Sequence, residues 1–258
     1  MHLLSQDESH KYSEIQKIRG LLGLQESDLE FLSPLRLDQL SFLRLKITNA
    51  ILEEQSGIWE PLARVSKFMP NFLNAKVSED ILGPQIAANI TYHMLPKDAL
   101  GIASHFSTKF FCDVLEHIIP EKIEHIIRES PFDLMKKVIQ ELRKRNNYLL
   151  IGSLIDVTPM NIVYKISMET TDLEMIHIMD FIMKRDRLVE LLGAYDENRI
   201  LNLIKISIQL NKMEGLLESF SYTKVKTREK IENVIPKLSL EEIKILKPIA
   251  ETYNITIY

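Results

Sequence analysis

The chain has 258 residues, of which 26% are charged and 45% hydrophobic, with eight glycines and a formal net charge of −4. This composition is typical of a globular protein with a core to bury, and it excludes a disordered or fibrous chain. The length predicts one large domain or at most two small ones. The slightly acidic balance gives no general preference for nucleic acid or anionic lipid.

The compartment is predicted from three features of the sequence. The N-terminal segment lacks a basic stretch followed by a long apolar run, so we predict no signal peptide. The longest stretch without Lys, Arg, Asp or Glu runs from Ile81 to Pro96 and contains two prolines, so we predict no membrane span. Cys112 is the one cysteine and cannot form an internal disulfide, which favours a reducing, cytoplasmic location.

Apolar residues spaced three and four apart, together with few glycines, predict an all-α chain. Three capping boxes mark helix starts, at Ser27–Glu30, Thr171–Glu174 and Ser239–Glu242. Ser130-Pro131 and Thr158-Pro159 mark two more. The pattern places helices near 10–22, 28–33, 36–55, 59–69, 71–81, 84–94, 96–105, 108–118, 120–129, 131–145, 147–155, 159–168, 172–183, 185–193, 197–210, 212–220, 227–235 and 240–252. Residues 254–258 have the pattern of a short extended tail.

Three aromatic residues lie where the long N-terminal helices give way to shorter ones. Trp59, Phe68 and Phe72 are interpreted as core residues, because apolar side chains at helical spacing usually face a core. The alternative is an exposed aromatic cluster, which would indicate a groove for a partner.

A twelve-residue repeat occupies the middle of the chain, with units that begin at Pro84, Pro96, Thr108 and Pro120. Twelve residues form one helix of about two and a half turns followed by a turn. Each proline restarts a helix and keeps the units from fusing into one rod. Positions four and seven of each unit are apolar and are predicted to form the buried core of the repeat: Ala87, Ile90, Ala99, Ile102, Phe111, Val114, Ile123 and Ile126.

The repeat predicts a right-handed superhelix of stacked short helices, similar to an α-solenoid. A weaker echo with an offset of 39 to 40 residues relates the segment from Pro120 to the segment from Pro159, so the stacking is expected to continue. We assign residues 1–80 to an N-terminal helical cap and residues 81–258 to the short-helix repeat region, although the whole chain could also be one continuous domain.

Two strings in the repeat, LPKDAL at 95–100 and IPEKIE at 119–124, resemble the N-terminal cytosolic domain of the MgtE magnesium transporters. The resemblance covers roughly residues 84–130. That domain is a superhelix of short helices, similar in architecture to the flagellar motor switch protein FliG. The resemblance therefore implies the same kind of fold, and a magnesium-responsive regulatory domain as one possible function. The nucleotide-binding-type and membrane domains of the transporters have no counterpart in this sequence.

Two sets of side chains could hold a metal ion. Glu116, Glu121 and Glu124 could form a weak site for magnesium, which needs only one or two carboxylates. The alternative, a solvated acidic face, is favoured. His93, His105 and His117 recur at position ten of the repeat, but helices packed about 8–10 Å apart would separate them too far for one zinc ion. A structural role at helix ends is favoured for them.

The cysteine and the two basic stretches are also interpreted as structural features. Cys112 has no base nearby in the sequence and is interpreted as a buried thiol. The basic stretches at 136–145 and 224–230 lack interleaved aromatic residues, so we predict solvated helix faces rather than nucleic-acid binding.

These patterns favour a non-catalytic helical-repeat protein that acts as a protein-interaction or regulatory module, with a protein partner and no cofactor. The alternatives are the magnesium-responsive regulatory domain and an enzyme with a site that no motif reveals. The sequence leaves the oligomeric state open.

Overall fold

The computed structural model describes residues 6–213, 216–217 and 225–253. Every regular element within these ranges is helical, so the prediction of an all-α chain is confirmed. The predicted tail at 254–258 and most of the predicted helix at 212–220 lie outside the described residues. The chain divides into two compact units, one formed by residues 11–150 and the other by residues 1–10 together with 151–258. The boundary predicted between residues 80 and 81 falls inside the first of these units.

Residues 11–150 carry one very long helix and a series of short ones. In chain order these elements are α1 (Gln6–Leu22), a 3-10 helix (Glu26–Leu32), α2 (Leu37–Ser66), α3 (Asn71–Val77), a π-helix (Ser78–Leu82), α4 (Pro84–Thr91), α5 (Pro96–Ala103), α6 (Thr108–Glu116), a 3-10 helix (Pro120–Ile123), α7 (Glu124–Arg128), α8 (Phe132–Lys144) and α9 (Tyr148–Ile155). Helices α1 and α9 each cross from one unit into the other.

The second unit continues with helices of eight to thirteen residues among its described elements. They are α10 (Met160–Ser167), α11 (Asp172–Met179), α12 (Arg185–Ala194), α13 (Glu197–Gln209), α14 (Val225–Val234), a 3-10 helix (Ile235–Lys237) and α15 (Leu240–Thr252).

Two of the three predicted capping boxes are confirmed. The Thr171 hydroxyl accepts from the Glu174 N–H at 3.3 Å, while the Glu174 carboxylate accepts from the Thr171 N–H at 3.0 Å. Ser239 and Glu242 form the same pair of bonds. The box predicted at Ser27 is wrong, because the N-cap lies two residues earlier, at Gln25, whose N–H donates to Asp28.

The predicted break between helices 36–55 and 59–69 is wrong, because α2 runs unbroken for 30 residues. Pro61 lies inside this helix, where its ring faces the carbonyl of Gly57, four residues earlier. Both residues are exposed, so that carbonyl can tilt out toward water and the missing N–H leaves no buried partner. Two other predicted helices change type along their length, 71–81 into α3 and the π-helix, and 120–129 into a 3-10 helix and α7.

Short helices pack against the second helix after them. In the first unit α2 packs on α4, α4 on α6 and α6 on α8, while α3 packs on α5 and α5 on α7. In the second unit α10 packs on α12 and α11 on α13, while α13 packs on both α14 and α15. Such alternation forms two rows of helices, so each short helix buries its apolar side against the next member of its own row.

Side chains reinforce this packing by closing the ends of helices. The Arg199 guanidinium donates to the carbonyls of Ser167 and Thr170, both at 2.8 Å, at the end of α10. Lys230 donates to the carbonyls of Gly193 and Tyr195 at the end of α12. A cation at a helix C-terminus satisfies carbonyls that have no partner within the helix and interacts favourably with the helix dipole. These bonds join α13 to the end of α10 and α14 to the end of α12, across 29 to 37 residues of the chain.

Seven of the eight predicted repeat-core residues are buried: Ala87, Ile90, Ala99, Ile102, Val114, Ile123 and Ile126. The eighth, Phe111, is only half-buried, and its neighbours Phe110 and Cys112 take the buried positions. Phe106 packs on both aromatic neighbours, edge-to-face on Phe110 with ring centroids 4.9 Å apart and at a tilt on Phe111 at 6.2 Å.

Candidate interaction surface

The C-terminal half of α2 and the start of α3 expose a row of large apolar side chains. Ile58, Leu62 and Val65 follow one another at helical spacing and are 59%, 42% and 56% exposed. Phe68 and Phe72 follow directly and are 89% and 60% exposed. We call these five residues the α2–α3 apolar surface. A monomeric protein rarely leaves such a contiguous set in water, so this surface has the character of a binding site.

The exposed row continues a face of α2 that is covered in the other half of the helix. Leu40, Arg44 and Ile47 precede Ile58 and Leu62 at steps of three, four or multiples of a turn, so they lie on the same side of the helix. Leu40 is fully buried in a cluster with Ile18, Leu29 and Leu32 of α1 and the following 3-10 helix. Near the end of α1, Gly20 and Leu21 line a pocket together with residues of α2 up to Gln55.

The length of the two helices explains why the cover ends. Helix α1 has 17 residues and α2 has 30, which correspond to about 26 Å and 45 Å. Residues 56–66 of α2 bury only Ala63 in full, whereas the same stretch carries three exposed aliphatic residues. The apolar side of α2 therefore extends beyond the end of the segment that packs on it.

The interpretation of Phe68 and Phe72 as core residues is wrong, and the alternative of an exposed aromatic cluster describes them. Phe68 lies two residues beyond the end of α2 and Phe72 lies in the first turn of α3, where the chain turns at the surface. Trp59 differs from both, because it is half-buried and its indole N–H donates to the Gln55 side chain at 2.8 Å.

The exposed charges beside the aliphatic part of the surface change sign along α2. Glu53 and Glu54 are exposed before Ile58, Glu60 is exposed between Ile58 and Leu62, and Arg64 is exposed between Leu62 and Val65. Arg64 forms an ion pair with Glu60 at 3.4 Å, in which the side chains are 77% and 49% exposed. An ion pair so open to water contributes little to stability, so Arg64 can change its partner readily.

A buried charge network holds the covered half of α2. Arg44 Nε donates to Glu14 at 2.7 Å and Arg44 Nη2 donates to Glu121 at 3.2 Å. Lys17 also pairs with Glu14, at 3.2 Å. Burial by itself would raise the pKa of Glu14, but the charges of Lys17 and Arg44 outweigh it and hold that pKa below its ordinary value. Sequence reasoning missed this network, because its bonded partners Arg44 and Glu121 are 77 residues apart.

The three carboxylates considered for magnesium are each held by a different arginine. Glu116 pairs with Arg145, Glu121 with Arg44 and Glu124 with Arg128. Arg145 also binds Asp113 and Glu141, so its guanidinium joins α6 to α8. Within the ranges that the structure describes, no group of three His, Cys, Asp or Glu side chains is arranged to hold a metal ion.

The predicted histidine residues do not share one environment. His105 and His117 are exposed, whereas His93 is half-buried. His93 has a buried Nε2 that makes no hydrogen bond within the chain. All three nevertheless lie at the ends of short helices, where each backbone N–H donates to the carbonyl three residues earlier.

The Cys112 thiol is fully buried, as predicted. Burial raises its pKa to about 12, since the thiolate form would lose its hydration, and the charge of Arg145 opposes this only in part. Such a thiol is protonated at neutral pH and is a poor nucleophile.

A pocket of about 120 Å³ lies between α1, α2 and α4, lined by the side chains of Gln55, Asn89, Tyr92 and His117 among others. Burial raises the pKa of Tyr92 to about 12, and its hydroxyl accepts from the Ile119 N–H at 2.8 Å. This bond joins α4 to the turn after α6, which gives the tyrosine a structural role. The pocket is smaller than the 300–1,000 Å³ that is usual for small-molecule sites.

Most described members of the two basic stretches lie on exposed or half-exposed helix faces, as predicted. Lys224 and the side chains of Lys226 and Arg228 lie outside the described residues. Arg145 and Lys230 are occupied by the bonds described above, so they serve the packing of helices.

No protein-family model, no curated protein and no solved structure matches this chain. Among the described residues, no helix combines the length and the apolar character needed to cross a bilayer.

Proposed function

We propose that this chain is a helical-repeat protein-interaction module that binds a protein partner through the α2–α3 apolar surface. The observation that carries the proposal is the row of Ile58, Leu62 and Val65, which stands in water although it continues a face that is buried elsewhere on the same helix. A helix-spaced apolar row of this kind fits the apolar side of a partner helix.

The proposal includes a superhelix built from stacked short helices, with a regulatory or scaffolding role and no catalysis, in a reducing cytoplasm. Support for the superhelix comes from the packing of several short helices in each unit on the second helix after them and from the resemblance of residues 84–130 to the MgtE N-terminal domain. A stack of this kind normally ends in a polar cap, and an apolar edge left by a short cap is a site where another chain can continue the packing.

The proposal is tested by site-specific photo-crosslinking in cells that make the full chain. A benzophenone amino acid replaces Leu62 in one variant and Leu45 in the control. Both residues are leucines on α2 with nearly equal exposure, 42% and 41%, but they lie about 100° apart around the helix.

We expect a discrete protein adduct from position 62 and none from position 45. The adduct should disappear when Val65→Asp is added to the same chain, because a carboxylate would then stand in the apolar contact. Equal or absent adducts at the two positions would overturn the proposed function.

A further inference from the structure

The charges along α2 specify the partner of the α2–α3 apolar surface more closely, in a step that rests on the proposed function. We propose that this surface pairs with the same surface of a second copy of the chain, with the two α2 helices antiparallel. Glu53 and Glu54 are exposed before Ile58, and Arg64 is exposed between Leu62 and Val65. Antiparallel pairing places the acidic end of each copy against the basic end of the other, whereas parallel pairing places like charges together.

The register that satisfies the apolar contacts also satisfies the charges. When Ile58 of each copy packs against Leu62 of the other, Glu54 lies about two residues, or about 3 Å, from the level of Arg64 in the other copy. Glu54 and Arg64 also lie on the same flank of the row. At 100° per residue, their positions on the helix are about 40° and 120° to the same side of Ile58. A two-fold axis repeats each contact, so one register forms two such ion pairs.

The ends of the surface complete the contact. Arg64 now pairs with Glu60 of its own chain in an arrangement open to water, which a second copy can replace at little cost. Phe68 and Phe72 extend the apolar area past the end of α2.

The first experiment measures the mass of the full chain in solution by light scattering after size-exclusion chromatography, over a dilution series. We expect twice the chain mass of 30.0 kDa. Leu62→Asp should give the mass of one chain, and Leu45→Asp should leave the dimer intact. A wild-type monomer, or a dimer that Leu62→Asp does not affect, would overturn the proposal. Circular dichroism melts of both variants establish that each one is folded.

The second experiment exchanges the charges. Glu54→Arg and Arg64→Glu should each weaken the dimer by at least about tenfold, because each variant places like charges opposite each other. An equimolar mixture of the two variants should form a heterodimer at wild-type concentrations, since both of its contacts then join opposite charges. Failure of the mixture to recover would overturn the antiparallel pairing.

These results also separate the further inference from the proposed function. A crosslink from position 62 that joins two copies of the chain agrees with both. A crosslink from position 62 to a different protein only, combined with a monomeric mass, overturns self-pairing and leaves the proposed function in place.

Discussion

The two halves of α2 present the same side of one helix in opposite environments. In the N-terminal half this side carries Leu40 and Arg44, which are buried against α1 and the following 3-10 helix. In the C-terminal half it carries Ile58 and Leu62, which are exposed. Apart from Arg44, the residues on this side are aliphatic in both halves. What differs is the presence of a covering segment, so the burial of an apolar side is decided by the length of its neighbour as well as by its own pattern.

The same contrast separates the roles of charge in the two halves. Arg44 is buried and forms ion pairs with two carboxylates, whereas Arg64 is exposed and forms an ion pair with one. A buried ion pair resists the loss of either partner, since the remaining charge is left without solvent. An exposed pair does not. The first arginine fixes the fold and the second is available for a contact with another chain.

The largest difference between the halves is expected from leucine truncation. Leu40→Ala should lower the free energy of unfolding by about 3–5 kcal/mol, because it removes a fully buried side chain from a packed cluster. Leu62→Ala, measured in dilute protein by the same urea titration, should change it by less than about 0.5 kcal/mol. An equal loss in both variants would mean that the exposed half is as tightly packed as the covered half.

Replacing Arg44 and Arg64 should also have different effects on stability in the two halves of α2. Arg44→Ala should cost about 3 kcal/mol, at the lower end of the range for breaking a buried pair, because Lys17 still neutralises part of the Glu14 charge. Arg64→Ala serves as the matched control on the same helix and should cost less than about 0.5 kcal/mol. Urea titrations of both variants measure the difference, and a cost for Arg64→Ala near that of Arg44→Ala would contradict the contrast.

Much of the fold follows from local sequence. Prolines at 84, 96 and 120 and the caps at Thr171 and Ser239 act within a few residues, so the short helices begin close to where the pattern predicts. The unbroken α2 could not be predicted, since the cost of Gly57 and Pro61 depends on whether water reaches them. That Phe110 rather than Phe111 is buried depends on tertiary packing, which spacing does not reveal.

The candidate surface was only half predictable. The sequence identified Phe68 and Phe72 as noteworthy, but their burial depends on whether another segment reaches them, and no local pattern contains that information. The helical spacing of Ile58, Leu62 and Val65 is the same as that of residues that face a core, so it does not predict their exposure. Similarly, the Glu121 carboxylate could not be assigned to Arg44, because 77 residues separate them in the chain.

A fall in pH should remove the stabilising contribution of Glu14 to the covered half of α2. The folded-state pKa of Glu14 lies below its ordinary value of 4.5, so its carboxylate stabilises the fold above about that pH. This contribution is lost as the pH falls through the folded-state pKa. We therefore expect Glu14→Gln to be less stable than wild type at neutral pH and the gap to narrow in acid. Glu60→Gln, on the exposed half of α2, is the control and should stay close to wild type throughout, as urea titrations at each pH can measure.

Magnesium is expected to have the smallest effect. An ion bound by Glu116, Glu121 and Glu124 in the folded state would stabilise it by about 2.7 kcal/mol at 100 times the dissociation constant, or roughly 5–11 °C in melting temperature. Each of these carboxylates already pairs with a different arginine, so binding would have to displace Arg145, Arg44 and Arg128. We expect magnesium chloride to shift the melt no more than sodium chloride of equal ionic strength does. A magnesium-specific rise that Glu121→Gln with Glu124→Gln abolishes would contradict this expectation. It would also place an ion beside the covered half of α2, next to the ion pairs of Arg44.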